Sequence, residues 1–209
     1  EQVRGMAVDR SGQIYVSTGS TRTIRRISPD GTITTVAGTY QGPAGNDDGA
    51  GPAARFTQPA ALTTDAAGNV YVVDELADRV RRLAPDGRVT TVYAGPVEAM
   101  LGGITADAAG GLTLSDGARI ATVTHAGRLD NLAGSNPIVG DCSDGDARSA
   151  RLGRSLLLAV SPALLPVAPP GGAAVNGPPA GSTVFIAEPG ARLVRRLAID
   201  SAAIATLLG

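Results

Sequence analysis

One pattern of residues occurs four times along the chain, and an internal repeat of this kind limits the fold more than any other feature of a sequence. The copies occupy about 3–38, 59–95, 101–134 and 155–209. The first two copies are the most alike, and the first half of the fourth is the least regular. Such a chain is expected to repeat one small structural unit, with each copy packing on its neighbours.

Each copy is predicted to form four short strands, which we call a, b, c and d. An Asp-x-x-Gly turn, as at 9–12, separates strands a and b, and a Pro-Asp-Gly turn, as at 85–87, separates strands c and d. Strand b is almost continuously apolar, as at 70–73, which is typical of a strand covered on both faces. Strand d alternates threonine with apolar residues, which indicates an outer, half-exposed strand.

Four strands in one meander cannot bury both of their faces alone, whereas identical sheets stacked radially around an axis can. The sequence therefore predicts an all-β fold, a β-propeller of four-stranded antiparallel blades, as a single domain over 1–209. The four copies are compatible with a four-bladed ring or with part of a larger one.

The second copy contains the strings Asp-x-x-Gly-Asn-Val-Tyr-Val-x-Asp, Arg-Val-Arg-Arg-Leu-x-Pro-Asp-Gly and Thr-Thr-Val-Tyr-Ala-Gly. These strings resemble the NHL repeat, and the resemblance covers essentially the whole chain. It implies a β-propeller, most often six-bladed. Propellers with similar repeats include RNA-binding proteins and several lyases and hydrolases. Bacterial proteins with these repeats are often exported, so the resemblance also implies a secreted protein with an extracellular or periplasmic location.

Charge and composition argue against two kinds of partner. The formal net charge is −1 and aromatic residues make up 3% of the sequence, so neither phosphate attraction nor base stacking favours nucleic acid. Apolar runs are too short for a membrane span, and none is predicted. All 18 basic residues are Arg, which is typical of a GC-rich, bacterial genome. We expect a monomer.

Two inserts of equal length follow strand d in the first and third copies. Insert 1 (39–58) and insert 2 (135–154) share an Asp-Gly pair and an Ala-Arg pair followed by an apolar residue, Phe56 or Leu152. We expect each insert to form a compact loop whose apolar residue plugs back between blades. Their carboxylates suit Ca²⁺, but the alternating carboxylates of a calcium loop are missing, and we predict no metal. A third insert, 162–181, is rich in Pro, Gly and Ala and predicts a flexible loop.

The b–c turns and the d–a connections lie at the same end of each blade in a four-stranded meander. Both long inserts are therefore expected to share one face with the b–c turns, and loops on a rigid scaffold are where binding residues concentrate. We predict that this face binds a protein, peptide or glycan. Its predicted binding residues are Arg22, Asp48, Asp78, Arg79, Arg119, Asp144 and Arg192.

Three copies carry adjacent arginines in strand c. Neighbours on a strand point to opposite faces of the sheet, so these pairs do not form one basic stripe. We expect one arginine of each pair to bond an acidic partner on strand b, such as Asp74 or Glu188. The pairs are Arg25-Arg26, Arg81-Arg82 and Arg195-Arg196.

Catalytic chemistry has little support in the residues. The single histidine, His125, stands in a c–d turn, and Cys142 stands in an acidic loop that disfavours a thiolate, so we predict no catalytic residue and no cofactor. The favoured function is a non-catalytic binding or scaffold propeller. The alternative is a lyase or hydrolase, similar to virginiamycin B lyase or the gluconolactonase-like enzymes, with its active residues in missing blades or along a central channel. An axis lined by small residues such as Ala7, Thr63 and Thr105 would favour the scaffold.

Overall fold

The computed structural model describes most of the chain as strands joined by short turns. The described residues are 2–95, 101–107, 110–124, 126–134, 143–153, 157–161, 182–199 and 203–208. The chain divides into two compact units, Glu1–Ile104 and Thr105–Gly209. The boundary falls inside the first strand of the third repeat.

The first repeat forms a four-stranded antiparallel sheet in which the strands follow chain order. Its strands are β1 (Val3–Val8), β2 (Ile14–Thr18), β3 (Thr23–Ile27) and β4 (Ile33–Ala37). The predicted Asp-x-x-Gly turn joins β1 to β2 because the Asp9 carboxylate accepts the backbone N–H groups of Ser11 and Gln13, each at 2.9 Å. Gly12 follows with φ 78°, a left-handed conformation that glycine adopts at little cost.

The second repeat forms the same sheet with one additional strand. Its elements are β5 (Gly49–Ala50), the short 3-10 helix Gly51–Ala53, β6 (Pro59–Thr64), β7 (Val70–Asp74), the 3-10 helix Glu75–Ala77, β8 (Arg79–Leu83) and β9 (Arg88–Ala94). Strand β5 comes from insert 1 and pairs with the outer strand β9, so that Gly49 lies opposite Val89 and Ala50 opposite Arg88.

The third and fourth repeats reproduce this arrangement. The strands of the third are β10 (Leu101–Ala106), β11 (Leu112–Asp116), β12 (Arg119–Val123) and β13 (Leu129–Ala133). Those of the fourth are β14 (Gly145–Asp146), β15 (Leu157–Ser161), β16 (Thr183–Glu188), β17 (Leu193–Ala198) and β18 (Ala203–Leu208). Strand β14 comes from insert 2 and joins the outer strand β18, as β5 joins β9.

The first unit packs its two sheets face to face, with the inner strands in closest contact. Strand β6 lies against β1 and β2. Gly5 permits this approach, because a Cβ there would lie 2.5 Å from the carbonyl oxygen of Ala60. The Thr64 hydroxyl donates to the Val8 carbonyl at 2.9 Å and so links the two inner strands.

Each unit has its own apolar core. The core of the first unit is made of Ile24, Ala37, Ala54, Phe56, Leu62, Val70, Val72, Leu83 and Val89. That of the second is made of Ala118, Ile120, Ala133, Ala147, Ala150, Leu152, Val184, Ile186, Leu197 and Ile204. Both cores join residues of two successive repeats with residues of the insert between them. The predicted all-β fold of four-stranded propeller blades is confirmed, and the fifth strands are an addition that the sequence pattern did not predict.

Candidate functional site

Insert 1 is held on the second blade by a buried arginine. The Arg81 side chain is 0% exposed and donates to the carbonyl oxygens of Arg55 and Asp47, each at 2.8 Å. It also donates to Oδ1 of Asp48 at 2.8 Å. The other oxygen of this carboxylate accepts the backbone N–H of Thr91 at 3.0 Å. Arg81 therefore ties both sides of the insert to the middle of the blade.

Insert 2 is held on the fourth blade by the same set of contacts. Arg195, also 0% exposed in its side chain, donates Nε–H to Asp144 at 3.0 Å and a terminal N–H to the Arg151 carbonyl at 2.6 Å. A second terminal nitrogen donates to the Ser143 carbonyl. Asp144 accepts the Thr206 backbone N–H at 2.7 Å, as Asp48 accepts that of Thr91. We call each arginine with its insert contacts an arginine clamp.

A buried carboxylate at the end of strand b completes each clamp. Glu188 accepts the Gly153 N–H at 2.5 Å and bonds Arg195 at 3.1 Å, which confirms the predicted bond between strand c and strand b. Asp74 occupies the equivalent place and accepts the N–H groups of Thr57 and Gln58. In the second blade the direct bond of the arginine goes to Asp48 rather than to Asp74.

The apolar residue of each insert plugs the core, as predicted. Phe56 is 0% exposed and Leu152 is 3% exposed, and each lies in the core of its own unit. The Arg81 guanidinium carbon lies 5.2 Å from the centre of the Phe56 ring, which is within range of a cation–π contact.

The clamps shift the pKa values of their carboxyl groups in different directions. Hydrogen bonds from Thr206, aided by Arg195, hold the pKa of Asp144 below its usual value. Burial raises the pKa of Asp48, but hydrogen bonds from Thr91 and Arg81 outweigh it and the net pKa is lowered. Burial dominates at Asp74 and raises its pKa despite its hydrogen bonds to Gln58 and Thr57.

Because the pKa of Asp144 is lowered in the folded state, the contribution of this residue to stability is expected to depend on pH. A carboxyl group whose pKa is lower in the folded state stabilises that state above its unfolded pKa, about 3.9, and this contribution is lost as the pH falls through the folded value. We expect Asp144→Asn to be less stable than the wild type at pH 7, with the difference shrinking between about pH 5 and pH 2. Urea unfolding across this range measures it.

The exposed carboxylate Asp130, elsewhere in the second unit, supplies the control for losing one negative charge. Asp130→Asn should show a smaller offset at pH 7 than Asp144→Asn. A stability difference between Asp144→Asn and the wild type that stays constant down to pH 2 would contradict this assignment.

The b–c turns hold three non-glycine residues in the left-handed conformation. Arg22, Asp78 and Arg192 have φ values of 56°, 49° and 58°, and each immediately precedes strand c. This conformation costs about 1–2 kcal/mol for an ordinary L-residue. Such strained residues concentrate at ligand-binding sites of folded proteins.

The predicted binding residues divide between the two units. Arg22 donates to the Gly42 carbonyl of insert 1 at 3.2 Å, so the b–c turn of the first blade and insert 1 do meet. Asp78 is buried, and Arg79 beside it begins strand β8. In the second unit, Arg119 pairs with Asp116 across its turn. Arg192 is exposed.

Asp48 and Asp144 lie at the outer edges of their blades, beside the fifth strands, because each insert runs down that edge before returning to strand a. Their oxygens accept hydrogen bonds from the chain itself. A binding role for these two carboxylates stays a prediction.

A polar cluster at the start of the inner strands was not singled out from the sequence. Arg4 at the beginning of β1 bonds Glu75 of the second b–c turn, and Gln58 donates to the same carboxylate at 3.2 Å. We call the b–c turns of one unit its turn face: this is 19–22 and 75–78, with Arg4, Gln58 and Glu75, in the first unit, and 117–118 and 189–192 in the second. No motif marks the cluster, because its members are far apart in sequence.

A cleft of about 190 Å³ opens at the opposite end of the first unit. Its walls include Val36, Val70 and Leu83, and its polar groups include the Tyr15 hydroxyl and Arg26. The turns at Gly68 and at 85–87 border it, which places it away from the turn face.

Metal-binding and catalytic groups are sparse in the described part of the chain. Within it, no group of three or more His, Cys, Asp or Glu side chains could hold a metal ion. The predictions for His125, Cys142 and insert 162–181 fall outside the described residues. The small residues that the sequence analysis named as candidates for lining an axis differ in burial: Ala7 and Thr63 are half-buried and Thr105 is buried. No described helix is long and apolar enough to cross a membrane.

Solved β-propeller structures resemble this chain. A virginiamycin B lyase from Staphylococcus aureus is 18% identical, with a TM-score of 0.59, over 99% of this chain and 55% of the lyase. An auxiliary nutrient binding protein from Bacteroides thetaiotaomicron is 13% identical, with a TM-score of 0.68, over 99% of this chain and 47% of that protein. Another from Bacteroides ovatus is 12% identical, with a TM-score of 0.69, over 100% of this chain and 47% of that protein.

At these identities the likeness concerns the fold alone, which is that of a β-propeller. The chain spans about half the length of these structures. No protein-family model matches the sequence, and no curated protein sequence matches it either. The NHL resemblance therefore stays a prediction from the residues.

Proposed function

We propose that this chain is a non-catalytic binding module that recognises a peptide, a protein or a glycan through the turn faces of its units. The observation that carries the proposal is the set of left-handed residues Arg22, Asp78 and Arg192 at equivalent positions of the b–c turns. Glycine would occupy these positions without strain. Arg192 is also exposed, so the retention of its side chain is best explained by a contact outside the chain.

The arginine clamps support this proposal by fixing the inserts beside the turns. A binding surface made of loops is effective when a rigid scaffold holds the loops in place. Arg81 and Arg195 supply that rigidity from within the blades.

The charges of the turn face suit a polar ligand of mixed charge. Arg22 and Arg192 lie on the same type of turn as Glu75 and Asp78, so neither sign dominates. A peptide or glycan offers donors and acceptors of both kinds, whereas nucleic acid requires a surplus of positive charge. Because the sequence resemblance implies export, we propose a location outside the cytoplasm.

The substitution Arg192→Gly tests whether the Arg192 side chain serves ligand binding rather than the stability of the fold. Removing the side chain from a left-handed position should leave stability unchanged or raise it by up to about 1 kcal/mol. We expect it to weaken binding at least tenfold. Binding is measured with immobilised glycans and peptide libraries on the purified chain, and stability by thermal unfolding.

Arg88→Ala is the control, because Arg88 is an exposed arginine of the second blade that follows the c–d turn, at the end of that blade opposite its b–c turn. It should leave binding unchanged. Unaltered binding in Arg192→Gly, or equal losses in both variants, would contradict the assignment of the turn face.

The alternative function is a lyase, favoured by the likeness to virginiamycin B lyases. One such structure holds quinupristin, which is therefore the substrate to test. A change in the mass of quinupristin after incubation with the purified chain would favour the lyase. Unchanged quinupristin with binding on the turn face would favour the module proposed above.

A further inference from the structure

The cleft of the first unit, at the end that carries the c–d turns, is formed by both blades of that unit. Its volume of about 190 Å³ lies below the range of about 300–1,000 Å³ that is usual for drug-sized ligands, so the cleft suits a small molecule. Residues that line it are Tyr15, Arg26 and Val36 of the first blade and Val70, Leu83 and the c–d turn 84–87 of the second.

Arg26 brings a guanidinium to this cleft without a counter-ion. The residue is half-buried, and no carboxylate among the described residues forms an ion pair with it. Arg81, by contrast, is held by Asp48 and by two carbonyl oxygens of insert 1. A half-buried cation of this kind favours an anionic ligand, and the planar guanidinium fork matches a carboxylate in particular.

Tyr15 supplies a second donor, because it lies directly opposite Arg26 in the pairing of β2 with β3. Its hydroxyl donates to Asp9 at 3.4 Å, whereas the equivalent bond in the second blade, from Tyr71 to Asp65, measures 3.1 Å. Burial raises the pKa of Tyr15, so the hydroxyl keeps its proton at neutral pH. The hydroxyl can leave this long bond and donate to a carboxylate beside Arg26.

The remaining walls of the cleft suit an aliphatic chain. Val36, Val70 and Leu83 offer apolar side chains to a ligand between the blades. Asp86 is the lining residue whose charge opposes an anion. It is exposed, so water and salt screen its charge, and its Oδ1 already accepts the backbone N–H of Arg88 at 2.9 Å.

We propose that this cleft binds a short aliphatic carboxylate, whose charged end bonds Arg26 and Tyr15 and whose chain lies against the apolar walls. The carboxylate belongs either to a free acid or to the end of a larger molecule, since the same contacts recognise both. This site is separate from the turn face and does not depend on the function proposed above.

Calorimetric titration of the intact 209-residue chain with hexanoate tests the site. A ligand of about eight non-hydrogen atoms is expected to bind with a dissociation constant of about 0.1–1 mM. Hexanol has the chain without the charge, and acetate has the charge without the chain, so each should bind at least about tenfold more weakly. Hexanol or inorganic phosphate that binds as tightly as hexanoate would overturn the proposal, as would a wild type that binds no hexanoate.

Four variants assign the binding to the cleft. Arg26→Met should weaken hexanoate binding at least about tenfold, and Arg26→Lys, which keeps the charge, should weaken it less. Asp86→Asn removes the opposing charge and should leave binding unchanged or up to about threefold tighter. Arg88→Met, which removes an exposed arginine next to the c–d turn, is the control and should bind as the wild type does. Circular dichroism verifies that each variant is folded. Equal affinities of folded Arg26→Met and the wild type would overturn the proposal.

Discussion

Arg81→Met is expected to destabilise the first unit by about 2–4 kcal/mol, since it removes a fully buried guanidinium and leaves the oxygens that it bonds without their charged donor. The variant loses the bonds to Asp48 and to the carbonyl oxygens of Asp47 and Arg55, all at 2.8 Å. Methionine retains most of the apolar volume of the arginine stem. The loss of stability therefore measures the contacts of the clamp rather than the cost of a cavity. Urea unfolding monitored by circular dichroism measures this loss.

Arg82→Met is the matched control for this prediction. Arg82 is the next residue of the same strand, points to the opposite face of the sheet and is half-buried. We expect its replacement to cost less than about 1 kcal/mol. Equal effects of the two substitutions would show that the inserts do not depend on the buried guanidinium.

The blades could be predicted from the sequence because their patterns repeat and act locally. The turn at Asp9 forms through bonds to residues two and four positions later, and such contacts are visible in a sequence. The plug residues Phe56 and Leu152 could also be found, because the two inserts match in length and place an apolar residue at the same position.

The fifth strands could not be predicted, because their pairing depends on distant residues. Gly49–Ala50 and Gly145–Asp146 are two-residue strands without β-branched or aromatic side chains. They pair with β9 and β18 because an outer strand offers unpaired backbone groups and a clamp holds the insert against it. The matched Asp48 and Asp144 were the available signal, and the sequence interpretation assigned them to a binding face.

The left-handed conformation of the turn residues could not be predicted from the sequence either. Arginine is uncommon in this conformation, so nothing in the sequence around Arg22 or Arg192 indicates it. Two neighbouring strands, whose register is fixed elsewhere, impose it on the connecting turn. Strain of this kind becomes visible only in a structure.

Phe56→Ala should cost the first unit about 3–5 kcal/mol, because it empties a fully buried aromatic position and removes the ring beside Arg81. Phe56→Leu should cost only about 1–2 kcal/mol, since leucine occupies the equivalent position in the second unit, at Leu152. Thermal and urea unfolding measure both. Leu76→Ala, at a leucine that is 68% exposed, should change stability by less than about 0.5 kcal/mol. Equal costs for Phe56→Leu and Phe56→Ala would mean that the plug depends on the aromatic ring itself rather than on the volume it fills.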